Sequence, residues 1–399
     1  MFIHRPFGSA HYRSDVHSTA AAPIRVALDA TPLLGPVTGV GTMVRELATR
    51  LSAEAADEGR PIELTGYLVS VRGRRALADA LPAGWQARPT PYPARLVHKV
   101  WQLVDRPTVC ADHDLVHGTN YVVPPGARTR LVTVHDLTAW RFPELVDDHS
   151  RRYPDLVDRA VRTGAHVHVV SAHVRDEVIH DLAVPSDRVH HVANGYTAGP
   201  AGNAAGGRSR IGRPYLLAVG TIEPRKDHVT LVRALARILA DRPDGPDLVL
   251  AGPEGWGSDP LDREVAALGL APRIHRLGWV TAQVKADLLA GAEALVFPSL
   301  YEGFGLPVLE AMGAGVPVVA TDIGAVSEVA GDAALLVPTG DADRLAEAVL
   351  TAVEDGEERS RLIAAGRTRV DRFNWDDSAT AMATLYRTLT GSLATLPTA

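Results

Sequence analysis

Two pairs of charged residues stand at positions where side chains commonly meet a ligand. Arg225 and Lys226 directly follow the apolar run YLLAVG and its turn, and they precede a helical segment. Arginine offers a planar fork of donors and lysine a compact positive charge, so the pair suits a diphosphate. Glu302 and Glu310 lie in FPSLYEGFGLPVLEAMGAG, residues 297–315. Carboxylates repel phosphate but accept hydrogen bonds from hydroxyl groups. A solvated turn or a charged helix terminus would explain each pair alone, whereas together they predict a nucleotide sugar as ligand.

Both pairs follow predicted β-strands. In open α/β sheets, ligands bind beyond the carboxyl ends of the strands. The run YLLAVG ends at Gly220 and is followed by Thr221, while ALVFPS precedes the turn LYEGFG. Gly303 and Gly305 in that turn permit a positive φ or a close approach of backbone to ligand. Pro307 fits the first position of the next helix.

The first half of the chain has a histidine at a comparable position. His135 follows the predicted strand RLVTV, and its ring can donate to a phosphate or sugar oxygen. Gly39 and Gly41 follow the first predicted strand, where backbone can approach a ligand closely. Their spacing is not GxGxxG, no acidic ribose-binding residue follows at the expected distance, and GxxxxGK[ST] is absent. We therefore predict neither a dinucleotide site nor a P-loop.

One short acidic segment has the spacing of a metal site. Asp112, His113 and Asp114 form an acid–x–acid pattern, but they lead into the strand LVHG, and a turn before a strand explains them. The remaining histidines show no spacing of a zinc site. We predict no metal ion and no cofactor besides the substrate nucleoside diphosphate sugar.

The composition is that of a globular protein with two domains. The chain has 399 residues, 46% of them hydrophobic and 22% charged, and no apolar run is long enough to cross a bilayer. Its net charge of −6 provides no basic field for nucleic acid. A single cysteine and the lack of a secretion signal predict a cytoplasmic protein. The amphipathic run YPARLVHKVWQLVD suits either peripheral contact with the inner face of a membrane or packing on the core.

Alternating strand and helix patterns predict an α/β fold with two Rossmann-like, doubly wound domains. Strand-like runs such as IRVALDA, RLVTVHDL and HVHVVSA, and later YLLAVGT, DLVLAG and ALVFPS, alternate with segments of helical periodicity. The segment 197–214 is rich in Gly, Ala, Pro and Arg and has no periodicity. We predict a flexible tail at 1–22, a first domain at 23–200, a linker at 201–212, a second domain at 213–375 and a closing helix at about 376–399.

These motifs resemble those of glycosyltransferase family 4, which comprises retaining enzymes of the GT-B architecture. The second half carries VGTIEPRKDHVTLVRAL, RLGWV, FPSLYEGFGLPVLEAMGAGVPVVATD and DAALLVPTGD. The first half is similar through TGVGTMVREL, VHDLTAWRFPE and VSAHVRDEVI. The resemblance covers nearly all of residues 24–390. It implies two domains that face a central cleft, with the closing helix crossing back to the first, acceptor-side domain.

The resemblance also implies roles for individual residues. Arg225 and Lys226 would grip the donor diphosphate, Glu310 would bind the ribose, and Glu302 would bind the transferred sugar. His135 would approach the sugar and its leaving phosphate from the first domain. The other predicted donor-binding residues are Gly39, Gly41, Gly220, Thr221, Gly278, Trp279, Val280, Gly303, Phe304, Gly305 and Leu306.

The charges predict how a transfer would proceed. Breaking the anomeric C–O bond leaves a cationic sugar and an anionic nucleotide, so catalysis needs fixed positive groups at the leaving phosphate. The resemblance implies retention of anomeric configuration and an acceptor hydroxyl on a sugar, glycolipid or natural product. Through its resemblance to the acceptor-side domain of the family, the segment HDLTAWRFPE favours mannose from GDP-mannose, and other hexoses or deoxyhexoses on UDP or dTDP stay open. A nucleotide-sugar epimerase and a non-catalytic sugar-nucleotide-binding protein are the alternative functions.

Overall fold

Two parallel β-sheets organise the chain. The computed structural model describes residues 22–35, 38–54, 60–71 and 73–391. The predicted flexible tail lies outside the described residues apart from its last residue, as do residues 392–399 of the predicted closing helix.

The first sheet has seven strands in the order β3-β2-β1-β4-β5-β6-β7, and every neighbouring pair is parallel. Its central strands are buried apolar runs, as expected for a parallel sheet covered on both faces. The strands are β1 (Ile24–Asp29), β2 (Ile62–Leu68), β3 (Gln86–Pro89), β4 (Leu115–Gly118), β5 (Thr129–Val134), β6 (His166–Val169) and β7 (Val189–His191).

The second sheet has six parallel strands in the order β10-β9-β8-β11-β12-β13. The strand order reverses between β8 and β11, which is the switch point where ligands bind in such sheets. The strands are β8 (Tyr215–Val219), β9 (Asp247–Ala251), β10 (Ile274–Gly278), β11 (Ala294–Phe297), β12 (Val318–Thr321) and β13 (Leu335–Val337).

Helices connect the strands of both sheets. In the first half they are α1 (Gly39–Glu54), α2 (Leu77–Ala80), α3 (Ala94–Trp101), α4 (Thr138–Arg141), α5 (Tyr153–Arg162) and α6 (Ala172–Asp181). The others are α7 (Ala204–Ile211), α8 (His228–Asp241), α9 (Asp259–Ala267), α10 (Ala282–Gly291), α11 (Leu306–Gly313), α12 (Gly324–Ala330), α13 (Ala342–Glu354), α14 (Gly356–Val370) and α15 (Trp375–Leu389). No helix in the described ranges is long and apolar enough to span a bilayer.

Two segments differ from the sequence prediction. The linker predicted without periodicity contains α7, which packs against α10. Asn203 begins this helix by accepting a hydrogen bond from Gly206 N at 3.1 Å, and Gly212 ends it with a φ of 83°. The closing helix α15 begins one residue earlier than predicted and packs on α1 of the first half. Tyr386 on α15 hydrogen-bonds His117 of β4 through a 2.7 Å contact to Nδ1.

Candidate active site

A cavity of about 540 Å³ lies between the carboxyl ends of the two sheets. Both halves of the chain contribute to its wall, and all but two of the predicted site residues line it. Those that line it are Gly39, His135, Gly220, Thr221, Arg225, Lys226, Trp279, Val280, Glu302, Gly303, Phe304, Gly305, Leu306 and Glu310.

Gly41 and Gly278 are the two predicted donor-binding residues outside this wall. Gly41 is buried in α1, where an added Cβ would lie 2.9 Å from the carbonyl oxygen of Pro32. Its lack of a side chain lets the helix pack on the preceding turn. Gly278 ends β10 with a φ of 64°, and the next two residues then line the cavity. Both glycines shape the backbone beside the cavity.

A tight connection after β8 presents the two predicted cations. Residues Pro224–Lys226 form a single 3₁₀ turn, with proline at its first position. Asp227 follows in the left-handed conformation with a φ of 45°. Its carboxylate accepts a hydrogen bond from Thr230 N at 3.2 Å and so caps α8. Turn and cap together hold Arg225 and Lys226 at the switch point of the second sheet.

Glu302 pairs directly with both cations. Its Oε2 lies 2.8 Å from Nη1 of Arg225, and its Oε1 bonds the ammonium of Lys226. The hydroxyl of Ser299 donates to Oε1 at 2.7 Å. Only 8% of Glu302 is exposed. The sequence predicted that the cations bind phosphate and that the acids bind hydroxyl groups. In the structure, one of these acids, Glu302, instead forms ion pairs with both cations.

Burial and charge set the protonation of this cluster. Burial raises the pKa of Glu302, but the charges of Arg225 and Lys226 outweigh that effect and lower the pKa to about 2. Burial lowers the pKa of Lys226, and the carboxylate of Glu302 opposes the shift. Glu223, whose Oε1 lies 2.7 Å from Nη2 of Arg225, has its pKa raised by burial. Glu302 therefore remains ionised, and a diphosphate that binds these cations must compete with it.

Glu310 has a cationic partner that the sequence prediction did not include. Lys285 of α10 pairs with Oε1 of Glu310 in α11, and both residues line the cavity. A signal was available, because Lys285 is one of only three lysines in the chain and another of them is Lys226. The carboxylate at this wall can accept hydrogen bonds from a diol, and the ammonium can donate to an adjacent ligand oxygen.

His135 is oriented by a backbone carbonyl of the first half. Its Nε2 lies 2.9 Å from the carbonyl oxygen of Thr119. A carbonyl only accepts, so Nε2 carries the hydrogen and the neutral ring keeps Nδ1 as an acceptor. Burial lowers the pKa of His135, which favours this neutral form. We expected His135 to donate to a ligand oxygen; its orientation suits a sugar hydroxyl that donates to Nδ1.

The N-terminus of α1, in the first half of the chain, forms part of the cavity wall. Thr38, Gly39, Thr42 and Arg45 all line the cavity. The first turn of α1 holds no acidic residue, so no side chain of that turn offsets the positive end of the helix dipole. Arg45 was absent from the prediction, although Thr38, Thr42 and Arg45 follow helical spacing and share one face. Arg45 and the N-terminus of α1 add positive charge to the cavity that Lys226 also lines.

The glycine turn after β11 contacts the His135 loop. An added Cβ on Gly303 would overlap the carbonyl oxygen of His135. Gly305 has a φ of 115° and directly precedes α11, whose start has no side-chain cap. The two sides of the cavity therefore meet at Gly303, where only hydrogen fits.

The acid–x–acid segment at residues 112–114, where no metal ion was predicted, forms contacts with arginine residues. Asp112 lies 2.7 Å from Nη1 of Arg88, and Asp114 accepts a hydrogen bond from Arg25 N at 2.9 Å. Among residues 22–35, 38–54, 60–71 and 73–391, no group of three or more His, Cys, Asp or Glu residues is arranged to hold a metal ion. The acid–x–acid spacing is explained by these contacts.

Comparison with known sequences identifies relatives of both halves. Residues 206–369 match the family described as Glycosyl transferases group 1. The O-antigen chain mannosyltransferase B of Escherichia coli is 27% identical over 92% of this chain and 100% of its own length. A phosphatidyl-myo-inositol mannosyltransferase of Mycolicibacterium smegmatis is 35% identical over 47% of this chain and 48% of its own length. The MMP alpha-(1->4)-mannosyltransferase of Mycolicibacterium hassiacum is 31% identical over 66% of this chain and 63% of its own length.

Solved structures share the arrangement of the two sheets. An Anabaena protein crystallised with UDP and glucose has a TM-score of 0.69 at 19% identity, covering 92% of this chain and 100% of its own. Sucrose-phosphate synthase from Thermosynechococcus elongatus has a TM-score of 0.70 at 21% identity, covering 93% and 100%. At these identities the likeness concerns the fold alone, and it confirms the predicted GT-B architecture.

Proposed function

We propose that the chain, whose residues 206–369 match the family described as Glycosyl transferases group 1, transfers a hexosyl group from a nucleoside diphosphate sugar to an acceptor hydroxyl. One observation carries the proposal: Arg225, Lys226, Glu302 and Glu310 line a single cavity at the switch point of the second sheet. Two cations and two acids in one cavity match a ligand that has both phosphates and hydroxyls.

The charges suggest where each part of the donor binds. The diphosphate would contact Arg225 and Lys226, with the N-terminal ends of α1 and α11 adding N–H donors. Ribose hydroxyls would donate to Glu310. The transferred sugar would lie between Glu302 and Nδ1 of His135, both of which accept hydrogen bonds.

The proposed reaction retains the anomeric configuration. The bond between the anomeric carbon and the phosphate oxygen breaks, and its electron pair leaves with the nucleoside diphosphate. An acceptor oxygen attacks the same face of the sugar, and its proton passes to the departing phosphate oxygen. Arg225 and Lys226 stabilise the charge that develops on that phosphate, so transfer proceeds without a metal ion in this proposal. Because the leaving group takes the proton, no separate protein base is assigned.

Mannose is the proposed transferred sugar. Three relatives that resemble the chain are named mannosyltransferases. The phosphate and ribose contacts described above are common to every nucleoside diphosphate, so they do not select the base. Guanosine and uridine donors are therefore both to be tested.

The test is an assay of the purified protein with GDP-mannose, UDP-glucose and other single donors, with and without sugar and lipid-linked acceptors. We expect acceptor-dependent release of nucleoside diphosphate, undiminished by EDTA. The anomeric proton coupling in the product's NMR spectrum should match that of the donor. Absence of release with every donor and acceptor would contradict transfer, an inverted product would contradict retention, and loss of activity in EDTA would contradict metal independence.

A lipid-linked acceptor is suggested by the surface around α3. Val97 and Trp101 are buried, but Leu96, Leu103 and Val104 are 61%, 78% and 48% exposed. The helix thus packs on the core and still leaves apolar side chains in solvent. The neighbouring Arg95, Lys99 and Arg106 are also exposed, which suits an anionic lipid surface. Acceptors presented in anionic vesicles should be used faster than the same acceptors in neutral vesicles, and equal rates would contradict this membrane contact.

Gly303→Ala is expected to reduce kcat/KM by about tenfold or more, because small displacements of active-site groups greatly slow a reaction. The new methyl group would overlap the His135 carbonyl oxygen, so the two sides of the cavity must separate. Steady-state transfer rates measure the effect. Gly356→Ala is the matched control, since an added Cβ there has nothing within 4 Å. Unchanged kinetics in Gly303→Ala would show that this close contact does not position the site.

A further inference from the structure

The backbone of Tyr301 lies in the second half of the chain, whereas its side chain packs into the core of the first half. It lies in the loop after β11, directly before Glu302. Tyr301 is 5% exposed, and it packs within the apolar core of the first half. The ring of Phe142 lies 5.5 Å away between centroids, and the guanidinium of Arg141 lies 6.0 Å from the Tyr301 ring centre. The side chain of Tyr301 thus fixes the loop between β11 and α11 to the first half of the chain.

The hydroxyl of Tyr301 completes a polar network in that core. It accepts a hydrogen bond from Leu137 N at 3.0 Å and donates one to the carboxylate of Glu177 on α6. Glu177 is 5% exposed, and its Oε1 lies 2.6 Å from Nη1 of Arg141 and 3.1 Å from Nε2 of His173. Burial raises the pKa of the Tyr301 phenol, so the group stays protonated and able to donate. Removal of the hydroxyl would leave the Leu137 N–H without this acceptor and would take one hydrogen bond from the buried Glu177 carboxylate.

A second contact joins the halves at the start of α6. Glu328 of α12 accepts hydrogen bonds from Ala172 N at 2.9 Å and His173 N at 2.8 Å. A carboxylate from the second half thereby caps a helix of the first half, where the helix dipole favours negative charge. An added Cβ on Gly324 would overlap the ring of His173, which shows how close the two surfaces are.

We propose that Tyr301 is a positioning residue that closes the two halves around the donor. Its carbonyl oxygen accepts a hydrogen bond from Nη1 of Arg225 at 2.9 Å, and Glu302 is its chain neighbour. Anchoring Tyr301 in the first half therefore fixes Arg225 and Glu302 relative to the first half, which contributes His135 to the same cavity. The inference rests on the proposed function for its catalytic consequence, and Tyr301 acts only through these neighbours. Glu328 supports the same closed arrangement from a separate point.

Tyr301→Phe tests the proposal, because it removes the hydroxyl and keeps the ring. We expect kcat to fall about 10- to 100-fold, the range for losing a buried hydrogen bond to a charged group. The affinity for GDP or UDP should change by less than about threefold, because Arg225, Lys226 and Glu310 remain. A fall in nucleotide affinity with unchanged kcat would contradict a positioning role.

Hydrogen exchange distinguishes a role in closure from a purely local role of Tyr301, because a local role would leave the exchange rates at the separate Glu328 contact unchanged. With GDP or UDP present, Tyr301→Phe should speed exchange at the amides of Ala172 and His173, which Glu328 holds at a separate contact. Glu328→Gln should reciprocally speed exchange at Leu137. These measurements need no turnover, so an inactive wild-type protein would contradict the proposed function without deciding closure.

Thermal unfolding of both variants controls for loss of fold. If Tyr301→Phe does not fold, Glu328→Gln alone decides the question, through exchange at Leu137 and through kcat. Faster exchange and a lower kcat in that variant support closure by these contacts. Wild-type exchange at the remote amides, in whichever variant folds, overturns the proposal.

Discussion

Lys226→Ala is expected to lower kcat by about 100- to 1000-fold, the range seen when one preorganised donor is removed from a developing anion. Lys226 lies in the 3₁₀ turn after β8, is nearly buried, and lines the cavity with Arg225. In the proposed reaction its ammonium stabilises the departing phosphate, whereas Lys285, which also lines the cavity, pairs with Glu310. Initial rates of nucleoside diphosphate release at saturating donor measure the effect.

Two further variants separate charge from geometry at this position. Lys226→Arg keeps the charge but not the compact shape, so it should recover only part of the rate. Arg263→Ala is the matched control, because it removes an exposed cation of the same half at α9. It should leave transfer unchanged. Wild-type rates in Lys226→Ala, with an intact thermal transition, would contradict the assigned role.

Glu302→Gln is expected to abolish most transfer and yet strengthen the binding of free nucleoside diphosphate. Glu302 pairs with both Arg225 and Lys226, so a diphosphate must compete with it for those cations. The neutral amide would release the cations and would still accept a hydrogen bond from Ser299. Calorimetric titration with GDP or UDP should show a lower Kd than for wild type, while kcat falls by about 100-fold or more.

The same substitution should destabilise the protein when no nucleotide is bound. Removing one partner of a buried ion pair leaves an uncompensated charge and costs about 3–5 kcal/mol. A diphosphate supplies the missing negative charge, so it should raise Tm more in Glu302→Gln than in wild type. Glu310→Gln is the contrasting variant, because Glu310 pairs with Lys285 and not with the diphosphate cations; it should bind GDP or UDP more weakly through loss of the ribose contact. Weaker diphosphate binding in Glu302→Gln than in wild type would contradict competition for the cations.

The location of the site could be predicted because the sequence shows where each strand ends. Arg225, Lys226 and Glu302 each follow an apolar run of strand length, and parallel strands bring their exits to one edge of the sheet. Their pairing could not be predicted. Lys226 and Glu302 are separated by 76 residues, and the geometry of two turns decides which atoms meet. Lys285 was missed because a lysine within a helix has many possible neighbours until α10 and α11 are placed.

The remaining differences have equally local causes. The composition of 201–212 lacks an apolar period, but α7 forms because it packs on α10 and is capped at both ends. The orientation of His135 depends on the carbonyl of Thr119 in a different loop, which no spacing reveals. Nor does any pattern in LYEGFG show that the ring of Tyr301 is buried in the core of the first half. Sequence patterns carry periodicity and strand order, whereas these features depend on contacts across the cleft.

A crystal structure with a nucleoside diphosphate sugar bound is the most direct test of how this cavity divides its charges. We expect phosphate oxygens within about 3 Å of Arg225 and Lys226, the distance of a charge-assisted hydrogen bond. The ribose should contact Glu310, and the bond between Lys226 and Glu302 should be weakened or replaced. A diphosphate that touches neither cation, or that leaves their pairing with Glu302 unchanged, would contradict the assignment.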